Sequence, residues 1–154
     1  MYKYVMTEPV KYLIEWAGFY ARHKDIHDKK IVDVKEEKDV LVVKRKEDTT
    51  HYIPEPSLEK GKLKDYSKKD FITIVTFNTK DNFEELLKGW HFYAEYPNLI
   101  IIFINPKSNL DTKWVIKPYL HQRICDEKAL KSGLKSIYET VEPMKEKDIG
   151  ELES

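Results

Sequence analysis

The chain of 154 residues lacks the patterns that build several common kinds of site. Its only cysteine is Cys125, so no disulfide can form within the chain and no cysteine-rich zinc site is available. The 5 glycines stand apart from one another, which excludes a glycine-rich phosphate-binding loop and a dinucleotide-binding fingerprint. No serine lies in a G-x-S-x-G pattern, so serine-nucleophile chemistry of that type is excluded as well. No pattern predicts a cofactor or a set of metal ligands.

Long hydrophobic stretches and a net charge are also missing. The longest apolar run, Leu99–Ile104, is far too short to cross a bilayer, and residues 1–9 lack the apolar core of a signal peptide. We therefore expect a cytoplasmic protein that does not bind membranes. Lysine plus arginine and aspartate plus glutamate both total 27, which argues against a general polyanion binder, although a local basic face is still allowed. The single glutamine and the abundant lysine and glutamate resemble the composition of thermophile proteins.

Residues 71–104 have the pattern of a strand, a helix and a second strand. Phe71–Phe77 is rich in β-branched and aromatic residues, and Asp81–Tyr96 carries apolar residues at helical spacing. Asn98–Ile104 is a short apolar run between prolines, which suits a strand that is buried on both faces. We expect the two strands to lie parallel to each other, joined by a helical crossover.

Further elements are predicted on both sides of this unit. Before it we expect a helix that ends near His23 and has Tyr20 on its apolar stripe, then a hairpin of Ile31–Lys35 and Val40–Lys44. A brief strand at His51–Ile53 and a surface loop over Ser57–Asp70 follow the hairpin. After the central unit we expect an edge strand over Lys113–Ile124 and a helix capped by Asp126. The acidic stretch 145–154 has no periodicity, so we expect a disordered tail. The fold class is therefore α/β (or α+β), with one domain over residues 1–144. It has a single mixed sheet with flanking helices, in the order α-β-β-β-α-β and then β-α.

This order of elements resembles the core of the restriction-endonuclease-like fold, the PD-(D/E)xK nuclease superfamily. The stretches that carry the resemblance are Asp39–Val43, Phe71–Asn78, Leu86–Trp90 and Tyr96–Phe103. The resemblance covers roughly residues 7–104 and is topological.

The resemblance implies a divalent-metal site for Mg²⁺ or Mn²⁺. Asp39 stands where the family's first catalytic acid would stand, and Glu15 could serve as the accessory acid of some members. The third core strand should carry an acid and a lysine two residues apart, but Ile72–Asn78 has neither. The resemblance therefore implies a nuclease-like fold with a degenerate active site.

Cationic and aromatic residues alternate along the predicted edge strand. The residues on this face are Lys113, Lys117, Tyr119, His121 and Arg123. Such a face could follow a phosphate backbone while the aromatic ring stacks on a base, and the run 44–46 could extend it. The alternative is a lysine-guarded edge strand that prevents aggregation.

The helical segment Trp90–Ala94 is apolar almost all round, so it needs cover on two sides. The cover could be a homodimer contact or the C-terminal helix. Taken together, the sequence predicts a non-enzymatic module that binds a protein partner or a nucleic acid. The alternative is a divalent-metal-dependent nuclease. A third hypothesis is an enzyme with an unfamiliar small-molecule site.

Overall fold

The computed structural model describes residues 8–108 and 112–152, so the start of the predicted domain and the last two residues of the predicted tail lie outside the described residues. One six-stranded mixed sheet is flanked by helices, which confirms the predicted fold class. The helices are α1 (Glu8–Lys24), α2 (Lys80–Lys88), α3 (Trp90–Tyr93), α4 (Pro118–Ile124), α5 (Glu127–Thr140) and α6 (Glu146–Gly150), with a 3₁₀ turn at Leu63–Asp65. The strands are β1 (Ile31–Glu37), β2 (Val40–Arg45), β3 (Thr49–Pro54), β4 (Phe71–Phe77), β5 (Leu99–Ile104) and β6 (Lys113–Ile116).

The strands lie side by side in the order in which they occur along the chain. β1, β2 and β3 form an antiparallel meander, β3, β4 and β5 are parallel, and β6 is antiparallel to β5. The parallel pairing of β4 with β5 across α2 and α3 confirms the crossover predicted from residues 71–104. The short strand predicted at residues 51–53 is the centre of β3.

Hydrophobic clusters cover both faces of the sheet. Side chains of a strand point alternately to opposite faces, and in β5 Ile102 and Ile104 face α1 while Ile101 and Phe103 face α2 and α3. The apolar segment predicted to need cover lies on the second face, where Trp90 shares a cluster with Leu134 of α5. The C-terminal helix is thus one cover of that segment.

The carboxyl edge of the parallel strands is closed by residues 141–144, which we call the strap. The side-chain amide of Asn78 donates to the carbonyl of Val141 over 2.9 Å, and its oxygen accepts from Nε1 of Trp114 over 2.8 Å. The amide of Asn105 donates to the carbonyl of Glu142 over 2.6 Å. Ligands of α/β proteins often bind at this edge. Here the chain's own backbone occupies it.

The predicted edge strand over Lys113–Ile124 is wrong in its second half. β6 ends at Ile116, and α4 begins at Pro118. Proline is favoured in the first turn of a helix because its φ is already helical and its missing N–H needs no partner there. Lys117 stays extended, with φ −114° and ψ 91°, as expected for a residue before proline.

The predicted disordered tail also differs from the structure, because residues 146–150 form α6. The backbone N–H of Lys145 is satisfied by Asp148, and Nζ of Lys107 lies 2.6 Å from a carboxylate oxygen of Glu151. Ile149 and Leu152 pack against the cluster under α1. Two apolar residues are enough to hold this short segment, and a single pair is too few to give a periodic signal.

Candidate functional site

Cationic and aromatic side chains from four segments meet near the end of α1. We call this set the basic-aromatic surface. Its members are Trp16, Tyr20, Lys24, Arg45, Lys113 and Lys117. They come from α1, the last residue of β2, the first residue of β6 and the residue before α4.

The aromatic part of this surface is a stacked pair one helical turn apart. The rings of Trp16 and Tyr20 are 5.1 Å apart between centroids and nearly parallel, at 12°. Nζ of Lys24 lies 5.6 Å from the centroid of the Tyr20 ring, and Nζ of Lys113 lies 6.0 Å from it. These distances are within the range of cation–π attraction, so the lysines are held beside the ring.

The cationic part of the surface is a group of positive charges that act on one another. Burial lowers the pKa of Lys24, and the charges of Arg45 and Lys117 lower it further. Lys24 and Arg45 line the same depressions, so these two cations lie side by side, and like charges at short range disfavour the charged form. Asp48 lies 3.9 Å from the guanidinium of Arg45 and offsets part of that charge. Asp25, Asp28 and Glu47 line a depression together with Lys24 and Arg45, so acids offset part of the positive charge at this end of the surface.

A shallow depression beside the stacked pair offers space for a flat group. Its volume is about 500 Å³, and Trp16, Phe19 and Lys113 are among the residues that line it. Phe19 is 74% exposed and Ile26, which lines the same depression, is 55% exposed, so two large apolar side chains face solvent here.

The structure separates the five residues predicted for the binding face. Lys113 and Lys117 belong to the basic-aromatic surface, whereas Tyr119, His121 and Arg123 lie on α4. Residues two apart on a helix point to opposite sides, so His121 does not share a face with the other two. The guanidinium carbon of Arg123 lies 3.3 Å from the centroid of the Tyr119 ring, and its nitrogen donates to the Tyr119 carbonyl.

Sequence reasoning missed Trp16, Phe19 and Lys24 as binding residues and placed Tyr20 on the apolar stripe. The signal was present in the spacing, because Trp16, Tyr20 and Lys24 follow one another at four-residue intervals on α1. That stripe lies beside the buried one. The sequence did not predict that Arg45, Lys113 and Lys117 lie near this second stripe in the folded protein.

The structure places the two acids that the nuclease resemblance implies in different elements. Asp39 lies in the turn between β1 and β2, with φ 60°, and Glu15 lies exposed on α1. Within residues 8–108 and 112–152, no three histidine, cysteine or acidic side chains come close enough to hold a metal ion. Asp39 and Glu15 belong to no such group of three.

Glu55 is a buried acid at the carboxyl end of β3, and its side chain is 5% exposed. Burial raises its pKa to about 7, opposed by the charge of Lys62 and reinforced by that of Glu59. The nearest Lys62 nitrogen is 4.0 Å from the carboxylate. A carboxyl of this kind holds or releases a proton near neutral pH. Glu55 lies between β3 and Pro56, and no pattern in the sequence predicted a buried acid at this position.

No described helix is long and apolar enough to cross a membrane. The chain matches no family model, no curated protein and no solved structure.

Proposed function

We propose that the protein is a non-enzymatic module that binds single-stranded nucleic acid through the basic-aromatic surface. The observation that carries the proposal is the position of Lys24. Its ammonium lies beside the stacked rings of Trp16 and Tyr20, and Lys24 lines one depression together with Arg45.

This arrangement suits the two chemical parts of a single strand. Clustered cations repel one another, and a phosphate placed between them relieves that repulsion and releases counterions. An unpaired base has an open face that stacks on aromatic side chains. The depression lined by Phe19 and Trp16 lies next to Lys113, so a base and its phosphate can be held together.

The neutral net charge of the chain favours a local contact over a general attraction. Because Asp48 offsets part of the charge of Arg45, the four cations can neutralise about three to four phosphates, which predicts a slope of log K against log salt of about −2 to −3 for a single strand. Duplex DNA keeps its bases stacked inside, so we expect it to bind more weakly than single strands.

The direct test is fluorescence anisotropy with labelled single-stranded DNA, single-stranded RNA and duplex DNA over a salt series. We expect saturable binding of single strands with the slope given above. No binding at low salt would overturn the proposal and leave a protein partner as the ligand of this surface.

Charge reversal locates the interface. Lys24→Glu and Lys117→Glu should each reduce the salt slope by about 0.7 and weaken binding about tenfold. Lys135→Glu makes the same change of charge on the exposed side of α5 and is the matched control. Equal losses in all three variants would indicate a general charge effect and contradict the proposed site.

Phe19→Ala tests the stacking part separately. We expect binding to weaken by about 1–3 kcal/mol with no change in salt slope, since the variant loses a stacking contact and keeps the charges. An unchanged affinity would remove Phe19 from the interface.

A further inference from the structure

A cleft on the opposite face of the sheet lies between α2 and α3 on one side and α4 and α5 on the other. Its volume is about 570 Å³, which is in the range of small-molecule sites. The apolar part of its lining is formed by Leu87, Trp90, Leu130 and Leu134. These side chains give the cleft a floor that favours an alkyl chain or an apolar ring.

The charged residues of the cleft are mainly cationic. Lys88 and Lys131 line it together with His91, and Glu127 is the only acid among the lining residues. Both lysines are exposed, so they can reach an anionic group at the mouth without losing their hydration. This distribution of charge complements a carboxylate.

Trp90 adds an unpaired polar group to the lining of the cleft. The residue is 5% exposed and lines the cleft, and its indole N–H has no hydrogen-bond partner among the described residues. A buried donor without a partner is costly, and buried tryptophan N–H groups usually find one.

We propose that this cleft binds a fatty acid, with the alkyl chain on the leucine and tryptophan floor and the carboxylate at Lys88 and Lys131. The carboxylate accepts hydrogen bonds from these ammonium groups, and no covalent step is involved. This inference does not depend on the proposed nucleic-acid binding, which uses the other face of the sheet.

Cys125 makes the test specific to the cleft. It lines the cleft, is partly exposed and is the only cysteine in the chain, so alkylation by iodoacetamide gives a single product that mass spectrometry quantifies. A bound alkyl chain should shield the thiol. Only unoccupied protein reacts, so free decanoate at about five times its Kd should slow alkylation about sixfold.

Two comparisons separate the parts of the proposal. Decyltrimethylammonium has the same alkyl chain with the opposite charge and should protect Cys125 much less than decanoate. The double variant Lys88→Glu, Lys131→Glu should weaken decanoate about tenfold, equivalent to about 1.4 kcal/mol. The matched control is Lys128→Glu, Lys135→Glu, which makes the same change of charge at α5 residues that do not line the cleft.

The results that overturn the proposal are equally definite. Decanoate that leaves the alkylation rate unchanged shows that the cleft does not bind it. Equal protection by both amphiphiles shows an apolar site without preference for a carboxylate, which would favour an apolar peptide as occupant. Circular dichroism of each variant shows whether it folds, and decanoate protection of the wild type tests the cleft without any variant.

Discussion

Glu55 makes the free energy of unfolding depend on pH because its carboxyl is buried at the end of β3. Its pKa is about 7 in the folded protein and about 4.5 in an unfolded chain. The folded state therefore binds more protons than the unfolded state between these values. Stability must fall as the pH rises through this range.

We predict that Glu55→Gln removes this part of the pH dependence. Between about pH 4.5 and pH 7, the free energy of unfolding of the wild type should fall by up to about 3 kcal/mol relative to that of the variant. Above that range the difference between the two proteins should stay constant. Urea unfolding of both proteins at several pH values measures it. Glu139→Gln, at an exposed position on α5, should leave the wild-type profile intact. A parallel profile for Glu55→Gln would show that Glu55 titrates normally.

The turn between β1 and β2 carries backbone strain at two residues. Lys38 has φ 43° and Asp39 has φ 60°, so both are left-handed, as in a type I′ hairpin turn. Asparagine tolerates this conformation better than lysine does. Lys38→Asn should therefore raise the free energy of unfolding by about 0.5 kcal/mol.

Lys35→Asn is the control for that prediction, because it places the same residue in the middle of β1. Asparagine is unfavourable in strands, so this variant should lower stability. The pair is compared by urea unfolding. Stabilisation by both variants would assign the effect to lost charge and not to the turn.

At the level of secondary-structure elements, Gly89 lies between α2 and α3, where the side chains of Tyr93 and Lys60 approach its backbone closely. A Cβ at Gly89 would lie 2.8 Å from Cε2 of Tyr93 and 2.9 Å from Cε of Lys60. The Tyr93 ring is fully buried and cannot move away cheaply. We predict that Gly89→Ala lowers the free energy of unfolding by about 1–3 kcal/mol.

Gly133 gives the opposite prediction from the same substitution. It lies inside α5, and a Cβ there would meet nothing within 4 Å among the described residues. Gly133→Ala should therefore raise stability by about 0.5–1 kcal/mol, since alanine is the better helix former. Thermal unfolding tests both predictions, because the melting temperature should fall in Gly89→Ala and rise in Gly133→Ala.

The accuracy of the sequence predictions also differs between elements. β4 and β5 were predicted correctly because strands buried on both faces need continuous apolar runs. The segment after Ile116 was predicted wrongly because alternating residues fit a strand, while Pro118 was read as an edge-strand feature and not as a helix start. The parallel pairing of β3 with β4 could not be predicted, because it depends on how the loop 55–70 packs.

Only some of the residues of the candidate site could be predicted from the sequence. Lys113 and Lys117 were identified from a local pattern, and Arg45 from the basic run that ends β2. Lys24 joins them only through the approach of α1 to the sheet, which is a contact between residues far apart in sequence. Spacing along a chain carries information about one element at a time.

For the whole molecule, the two proposed surfaces lie on opposite faces of one sheet. β5 contributes buried, closely packed side chains to both faces. A ligand on one surface should therefore leave the packing on the other face unchanged. We predict that saturating decanoate changes the affinity for single-stranded DNA by less than about twofold. Anisotropy titrations with and without decanoate test this, and a larger change would reveal coupling through β5.

The agreement between strand order and chain order has a consequence for the speed of folding. Every strand pairs with its neighbours in sequence, so no strand has to enter between two that are already joined. The antiparallel meander can close through short loops, and each later strand extends an existing edge. The slow steps should be the two parallel additions, which must close the long connections 55–70 and 78–98 before they gain contacts. Destabilising substitutions in β1 and at the β4–β5 pair should then both slow refolding, because the meander forms before the slow steps and the parallel pairs form during them.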